Sequence, residues 1–161
     1  MTISRGDRLP EATFLEAGPE GPREVASAEL FAGRKVVVFG VPGAFSRVCS
    51  ADHLPSFMRS AGGFRAKGVD EIVCLAVNDP FVLKAWDEAT GAAGAGVRLL
   101  GDPSGAFVRA IGLVMDAPPV GLFGRSQRYA MLVEDGVVAA LNVEPGRGCT
   151  LSAGESFLEA I

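Results

Sequence analysis

Residues 36–57 read VVVFGVPGAFSRVCSADHLPSF, and the opening six residues of that stretch decide the fold. Val36 to Val41 is short, β-branched and without a polar residue, as expected of a strand covered on both faces. Pro42-Gly43 ends it, Ala44-Phe45 turns the chain, and Ser46 and Cys49 are delivered onto a segment whose composition starts a helix. A helix N-terminus carries roughly half a positive charge and unpaired N–H donors. Both favour thiolate over thiol, so a cysteine at this point is a candidate nucleophile.

Working outward, Glu71 to Asn78 (EIVCLAVN) is a second buried strand and Val97 to Leu100 a third. Between them Asp79-Pro80 opens a helix with proline at its first position, closed by Gly91. Asp102-Pro103-Ser104 caps a further helix through Ile111. Arg128 to Glu134 and Val137 to Val143 form a hairpin about Asp135-Gly136. On the N-terminal side, Glu11 to Glu16 is expected to be a strand, residues 18–22 a turn, and Ser27 the cap of a short helix. Ser152 is expected to cap a last helix. Pro55 lies inside the helix that follows Cys49 and is expected to kink or split it. The order β-α-β-α-β-α-β-β-α specifies an α/β fold: a central mixed sheet flanked by helices, parallel early and antiparallel late.

A length of 161 residues suits one domain spanning 1–161. A hydrophobic share of 48% with 21% charged residues is that of an ordinary globular chain. The net charge of −4 argues against nucleic acid as a partner. No stretch reaches the roughly 18 apolar residues of a membrane span, and the N-terminus lacks an apolar signal core. Three cysteines do not form a secreted disulfide framework, and with one histidine they do not form a zinc site either. The expected setting is a reducing cytoplasm, where a disulfide is transient and catalytic.

The pattern Pro42-x-x-x-Ser46-x-x-Cys49, with VPGAF before it and CSADHLPSF after it, closely resembles the active-site signature of type II, peroxiredoxin-5-like peroxiredoxins. The family usually has threonine where Ser46 stands. Serine keeps the hydroxyl and loses the methyl that fixes its rotamer. The resemblance runs from GDRLPEATF to the C-terminal helix and implies a thioredoxin-like fold. It also implies a thiol peroxidase with Cys49 as nucleophile, passing through a sulfenic acid.

Lowering a thiol pKa from about 8.5 to about 6 raises the thiolate fraction only roughly thirtyfold at neutral pH, so most of the acceleration must come from donors fixed on the peroxide oxygens. The Ser46 hydroxyl and the backbone N–H groups of Val48 and Cys49 suit that task, in a pocket that Gly43 and Phe45 help to form and Pro42 walls. The resemblance assigns the site cation to Arg128 in GRSQRYAM, with Arg125 and Arg47 next in line.

Cys74, 25 residues after Cys49, matches the position where several relatives place a resolving cysteine. It also reads as an ordinary core residue of a strand. Cys149 in EPGRGCTLS lies near where other subfamily members place a resolving cysteine, but not in register with it. A one-cysteine cycle with glutathione or glutaredoxin is the third possibility, and thioredoxin the alternative donor. The resemblance further implies a homodimer and no metal, nucleotide or flavin. His53, on the helical face of Cys49, reads as packing or a hydrogen bond at the site mouth. A thiol–disulfide oxidoreductase is disfavoured by the lack of Cys-x-x-Cys, and a redox-sensing module is the alternative outside enzymes.

Overall fold

The computed structural model describes residues 2–146 and 149–161, and for Cys49 the main chain alone. The strands are β1 (Thr13–Gly18), β2 (Gly21–Ala26), β3 (Lys35–Val41), β4 (Glu71–Ala76), β5 (Val97–Gly101), β6 (Val114–Ala117), β7 (Leu122–Ser126), β8 (Tyr129–Glu134) and β9 (Val137–Val143). The helices are α1 (Ser27–Phe31), α2 (Leu54–Ala66), α3 (Pro80–Thr90), α4 (Ala106–Ala110) and α5 (Gly154–Ala160). Seven strands form one sheet in the order β2-β1-β5-β4-β3-β8-β9, and β6 pairs with β7 outside it. The central strands β3, β4 and β5 run parallel, while β8, β9, β1 and β2 join antiparallel.

Alternation along the central strands splits the core in two. Val37, Phe39 and Val41 face α2, α3 and α5, where Leu54, Phe57, Phe64, Trp86 and Phe157 are buried. Val36 and Val38 face the other way, onto Leu30, Phe31, Phe107 and Val108. This two-sided burial is why β3 and β4 read as unbroken apolar runs.

The signals with a local mechanism predict their elements well. Asp79 caps α3 by accepting from the Val82 N–H at 2.9 Å, Pro80 is the first helical residue, and Gly91 closes the helix at φ 74°. The β8–β9 turn has positive φ at both Asp135 (49°) and Gly136 (77°), the hairpin geometry expected of Asp-Gly.

Other expectations change. The 18–22 turn is shorter than predicted, and Gly21-Pro22 already belong to β2. Proline fits there because β2 is the sheet edge and needs no donor on its outer side. Ser27 does not cap α1: the cap position is Ala26, and the Ser27 hydroxyl accepts from the Ala12 N–H at 3.0 Å. Ser152 does not cap α5, which starts after Ala153. Pro55 does split the helical path that holds Cys49, but at the start of α2 and not within it. The residues before it, Cys49–His53, form a widened π-helical turn. Proline has no N–H to bond four residues back, so the tighter α register is unsupported there. The short β6–β7 hairpin, with a bulge between Met115 and Ala117, was not predicted.

Two features set the geometry beneath the site. Gly40 pairs with Tyr129 across β3 and β8, and a Cβ on Gly40 would lie 2.1 Å from the Tyr129 ring. Gly40→Ala should therefore lower stability by about 3 kcal/mol, the upper end of overpacking costs, read as a shift in the urea midpoint at constant slope. At the opposite end of the sheet Arg98 pairs with Glu16 (2.6 Å) and Glu71 (3.1 Å), while Arg23 binds Glu16 and Arg34 binds Glu71. This chain of ion pairs crosses β2, β1, β5 and β4 and reaches the residue before β3.

Candidate active site

The chain leaves β3 at Val41, which is in register with Ala76 of β4. Two residues further along each path stand Gly43 and Asn78, and the Asn78 Oδ1 accepts from the Ala44 N–H at 2.9 Å. Pro42 and Gly43 are buried. The Arg125 Nη1 donates to the Pro42 carbonyl at 3.4 Å and lies 2.8 Å from where a Gly43 Cβ would be. A side chain at 43 would push on that guanidinium, the mobile end of a long side chain.

Phe45 turns the loop at φ 65°, a conformation non-glycine residues adopt at a cost, with its ring 54% exposed. The Ser46 hydroxyl donates to the Gly43 carbonyl at 2.9 Å, leaving its lone pairs as acceptors. The Ser46 carbonyl accepts from the Ser50 N–H at 2.9 Å, the first helical bond. Ser46 is thus the residue from which the helical path starts, and Cys49 enters its π-helical turn. The placement of Cys49 at a helix start is borne out by the main chain. Its thiol, including the pKa and contacts expected from sequence, lies outside the described residues. Val48 is half-buried and Arg47 exposed.

Arg128 precedes Tyr129, which pairs with Gly40, so antiparallel pairing sets it beside the end of β3. It shares the strand parity of Ala130 and Leu132, which face α2, and it is buried. Its charge reaches both His53 and Cys149. Arg128 therefore lies just ahead of β8, beside the end of β3. Arg125 is also adjacent, whereas the exposure of Arg47 sets it apart.

His53 is fully buried beside Phe39 and Phe57, whose rings stack at 4.0 Å. Its Nε2–H donates to the Ser152 carbonyl at 3.0 Å, in the tautomer that this acceptor requires. Burial first, and then the neighbouring Arg128 charge, push its pKa down to about 3. An unfolded imidazole protonates near 6.5, so between 6.5 and 3 the unfolded chain binds more protons and stability falls with falling pH. Between pH 6 and 5, above the carboxylate range, the wild type should lose stability at up to about 1.4 kcal/mol per unit. His53→Phe should flatten that slope, as checked by urea midpoints at both pH values.

Cys74 is buried in β4, opposite Phe39 and Leu99, with strands on both sides of its backbone. Cys149 is half-buried, and burial pushes its thiol up to about 11.

Three supports of the site were not read from sequence. Asn78 was taken only as the end of a strand, although an amide beside the Pro42-Gly43 loop is the natural partner for its N–H. Trp86 is buried in the core, and its Nε1–H also donates to the Ser50 hydroxyl at 3.0 Å, next to Cys49. Glu144 is a buried carboxylate that accepts from the N–H groups of Thr150 (2.6 Å) and Ser152 (2.8 Å). Burial would raise its pKa, but these donors hold it below the usual carboxylate value. Its sequence neighbourhood carries no sign of that role.

The Redoxin family matches residues 4–158. Peroxiredoxin-2E-2, chloroplastic, of Oryza sativa subsp. japonica is 49% identical over 164 residues, covering 99% of this chain and 73% of that protein. Peroxiredoxin-2B of Arabidopsis thaliana is 41% identical over 160 residues, covering 99% and 98% respectively. The crystal structure of reduced Prx3 in complex with H2O2 from Vibrio vulnificus aligns with a TM-score of 0.92 at 45% identity, covering 99% of each chain. Likeness of this extent, on a thioredoxin-like fold with a mixed sheet between helices, shows that the chain belongs to the Redoxin family as a type II peroxiredoxin, a thiol-dependent peroxidase with an antioxidant role.

Proposed function

We propose that the enzyme reduces hydrogen peroxide and small organic hydroperoxides through Cys49, acting as one domain over residues 1–161. The Cys49 thiolate attacks one peroxide oxygen. The O–O bond breaks heterolytically, the sulfur becomes a sulfenic acid, and the other oxygen leaves as hydroxide or alkoxide, which takes a proton from solvent. A second thiol then condenses with the sulfenic acid, forming a disulfide and releasing water. The observation that carries this reading is the meeting of the Pro42–Ser46 loop, the Cys49 helix start and the buried Arg128 at one end of β3.

In this reading the Ser46 hydroxyl accepts from the peroxide while donating to the Gly43 carbonyl, and the backbone N–H groups of Val48 and Cys49 bind the other oxygen. Arg128 steadies the thiolate and the developing charge. Pro42 and Gly43 wall the pocket, and Phe45 lies over its mouth.

Cys149 is the resolving thiol in this reading. It shares the electrostatic neighbourhood of Arg128 and Asp52, whereas Cys74 is fixed in the middle of the sheet. In the folded conformation Cys149 is protonated, and it reacts once its segment opens to water. Glutathione with glutaredoxin, or thioredoxin, then reduces the disulfide in a cytoplasmic setting. Among the described residues no helix is long and apolar enough to cross a membrane.

A homodimer is the proposed working state. Phe45, Phe81, Val120 and Phe123 are exposed on the segments that converge on the loop, an apolar fringe suited to a second copy of the chain. The test is intact mass after one equivalent of hydrogen peroxide. Wild type should lose ~2 Da, with the loss retained in Cys74→Ser and abolished in Cys149→Ser. Abolition in Cys74→Ser alone transfers the resolving role to Cys74. A gain of ~16 Da without disulfide in all three proteins assigns a one-cysteine cycle. No mass change in any of them would sink the peroxidase mechanism at Cys49.

A further inference from the structure

The Cys49–His53 turn and the start of α2 are tied to the C-terminal segment by contacts that lie 96 to 99 residues apart in sequence, His53 from the turn and Ser56 and Arg59 from α2. The His53 ring donates to the Ser152 carbonyl at 3.0 Å. The Ser56 hydroxyl donates to the His53 carbonyl at 2.6 Å and accepts from the Gly154 N–H at 2.8 Å. Gly154 sits so close that a Cβ there would lie 2.3 Å from the Ser56 carbonyl oxygen. Ser152 is itself held by Glu144, which accepts from both its N–H (2.8 Å) and its hydroxyl (3.1 Å). The Glu144 N–H donates to the Arg128 carbonyl at 2.9 Å, anchoring the residue to the site arginine just ahead of β8.

A sulfenic acid has two fates. It condenses with a thiol, releasing water, or takes an oxygen from a second hydroperoxide and becomes a sulfinic acid while that hydroperoxide leaves as water or alcohol. Condensation requires the partner sulfur to come within bonding distance, with Cα atoms no more than about 7 Å apart. Cys74 is fixed between two strands, so it is reached only if the Cys49 turn opens. Cys149 is reached if that turn or its own segment moves, and an external thiol also needs the turn exposed. The His53–Ser152 contact stands between the parts that must separate in every case. Oxidation by a second peroxide uses the closed pocket and needs no opening.

Resting on the peroxidase reading above, we propose that Glu144 is a positioning residue which, through Ser152 and His53, holds the Cys49 turn closed and so sets the partition between disulfide and sulfinic acid. Weakening this brace favours the disulfide. The brace acts on the turn through a carbonyl and a ring, and touches no reacting atom.

The test uses the full-length protein turning over hydrogen peroxide with dithiothreitol as reductant. The readout is the peroxide concentration at which half of the chains carry a sulfinic acid, seen as a gain of ~32 Da by intact mass. His53→Phe keeps the aromatic packing and removes the donor, so the threshold should rise about tenfold, as expected for losing one buried hydrogen bond. Glu144→Gln should raise it several-fold, by the weaker acceptance of a neutral amide. His53→Gln, which returns an N–H near the Nε2 position, should restore the wild-type threshold, and Glu134→Gln on the far end of β8 should leave it unchanged. Hydrogen exchange at residues 49–56 should quicken in His53→Phe and Glu144→Gln. Unchanged or lowered thresholds in variants that still accept the first equivalent of peroxide would overturn the brace alone. Absence of first-equivalent oxidation in wild type would overturn the peroxidase reading and the brace with it.

Discussion

Cys49→Ser should consume hydrogen peroxide no faster than the buffer containing the reductant, while its urea midpoint stays within about 0.5 kcal/mol of wild type, the range of a mild substitution. A serine hydroxyl at neutral pH offers almost no anion, and oxygen does not climb the oxidation ladder that lets sulfur take up and surrender an oxygen atom. The loop that would bind peroxide should survive, because its main-chain anchors are elsewhere: Asn78 on Ala44, and Gly43 with Ser50 on Ser46. The assay is sustained loss of peroxide with thioredoxin or glutathione and glutaredoxin supplied in excess. Residual turnover above a hundredth of wild type would mean that another thiol performs the attack.

Arg128→Gln should lower the second-order rate with peroxide by about 10²–10³, the usual loss on removing a fixed donor from a developing negative charge. Arg128 is buried at the end of β3, its charge reaching His53 and Cys149, so its field acts where water screens little. Arg128→Lys should recover only part of the rate, because an ammonium cannot reproduce the planar fork. The control is Arg47→Gln: that side chain is exposed, and its loss should matter little. Stopped-flow oxidation of the reduced enzyme separates this step from recycling. A tenfold or smaller effect for Arg128→Gln would transfer the role to Arg125, whose Nη1 lies against Pro42 and Gly43.

The sequence was most legible where a residue acts on its own neighbourhood. Asp79-Pro80 and Gly91 delimit α3 because capping and φ preferences are local. Val36 to Val41 announces its double burial through composition alone. Ser152 and Ser27 mislead for the converse reason: each is a good cap by type, yet another group engages its hydroxyl instead, the Ala12 N–H for Ser27 and the Glu144 carboxylate for Ser152. The same rule governs the site. Pro42, Ser46 and Cys49 form a contiguous motif, whereas Asn78 and Glu144 act across 34 and 6 to 8 residues through geometry that only the folded sheet creates. Pro55 could be seen in the sequence, but not that the turn before it would widen.

The chain of ion pairs and the chemistry occupy opposite ends of the sheet. The carboxylates of Glu16 and Glu71 clasp Arg98 at the entry of the parallel strands, while the peroxide end is bound together largely by main-chain carbonyl and amide groups. Ionic strength acts on the first set and scarcely on the second. Concentrated salt should therefore erode the clasp and the resistance to heat well before it touches turnover, so a protein stressed by brine would keep working until the far rim of its sheet came apart.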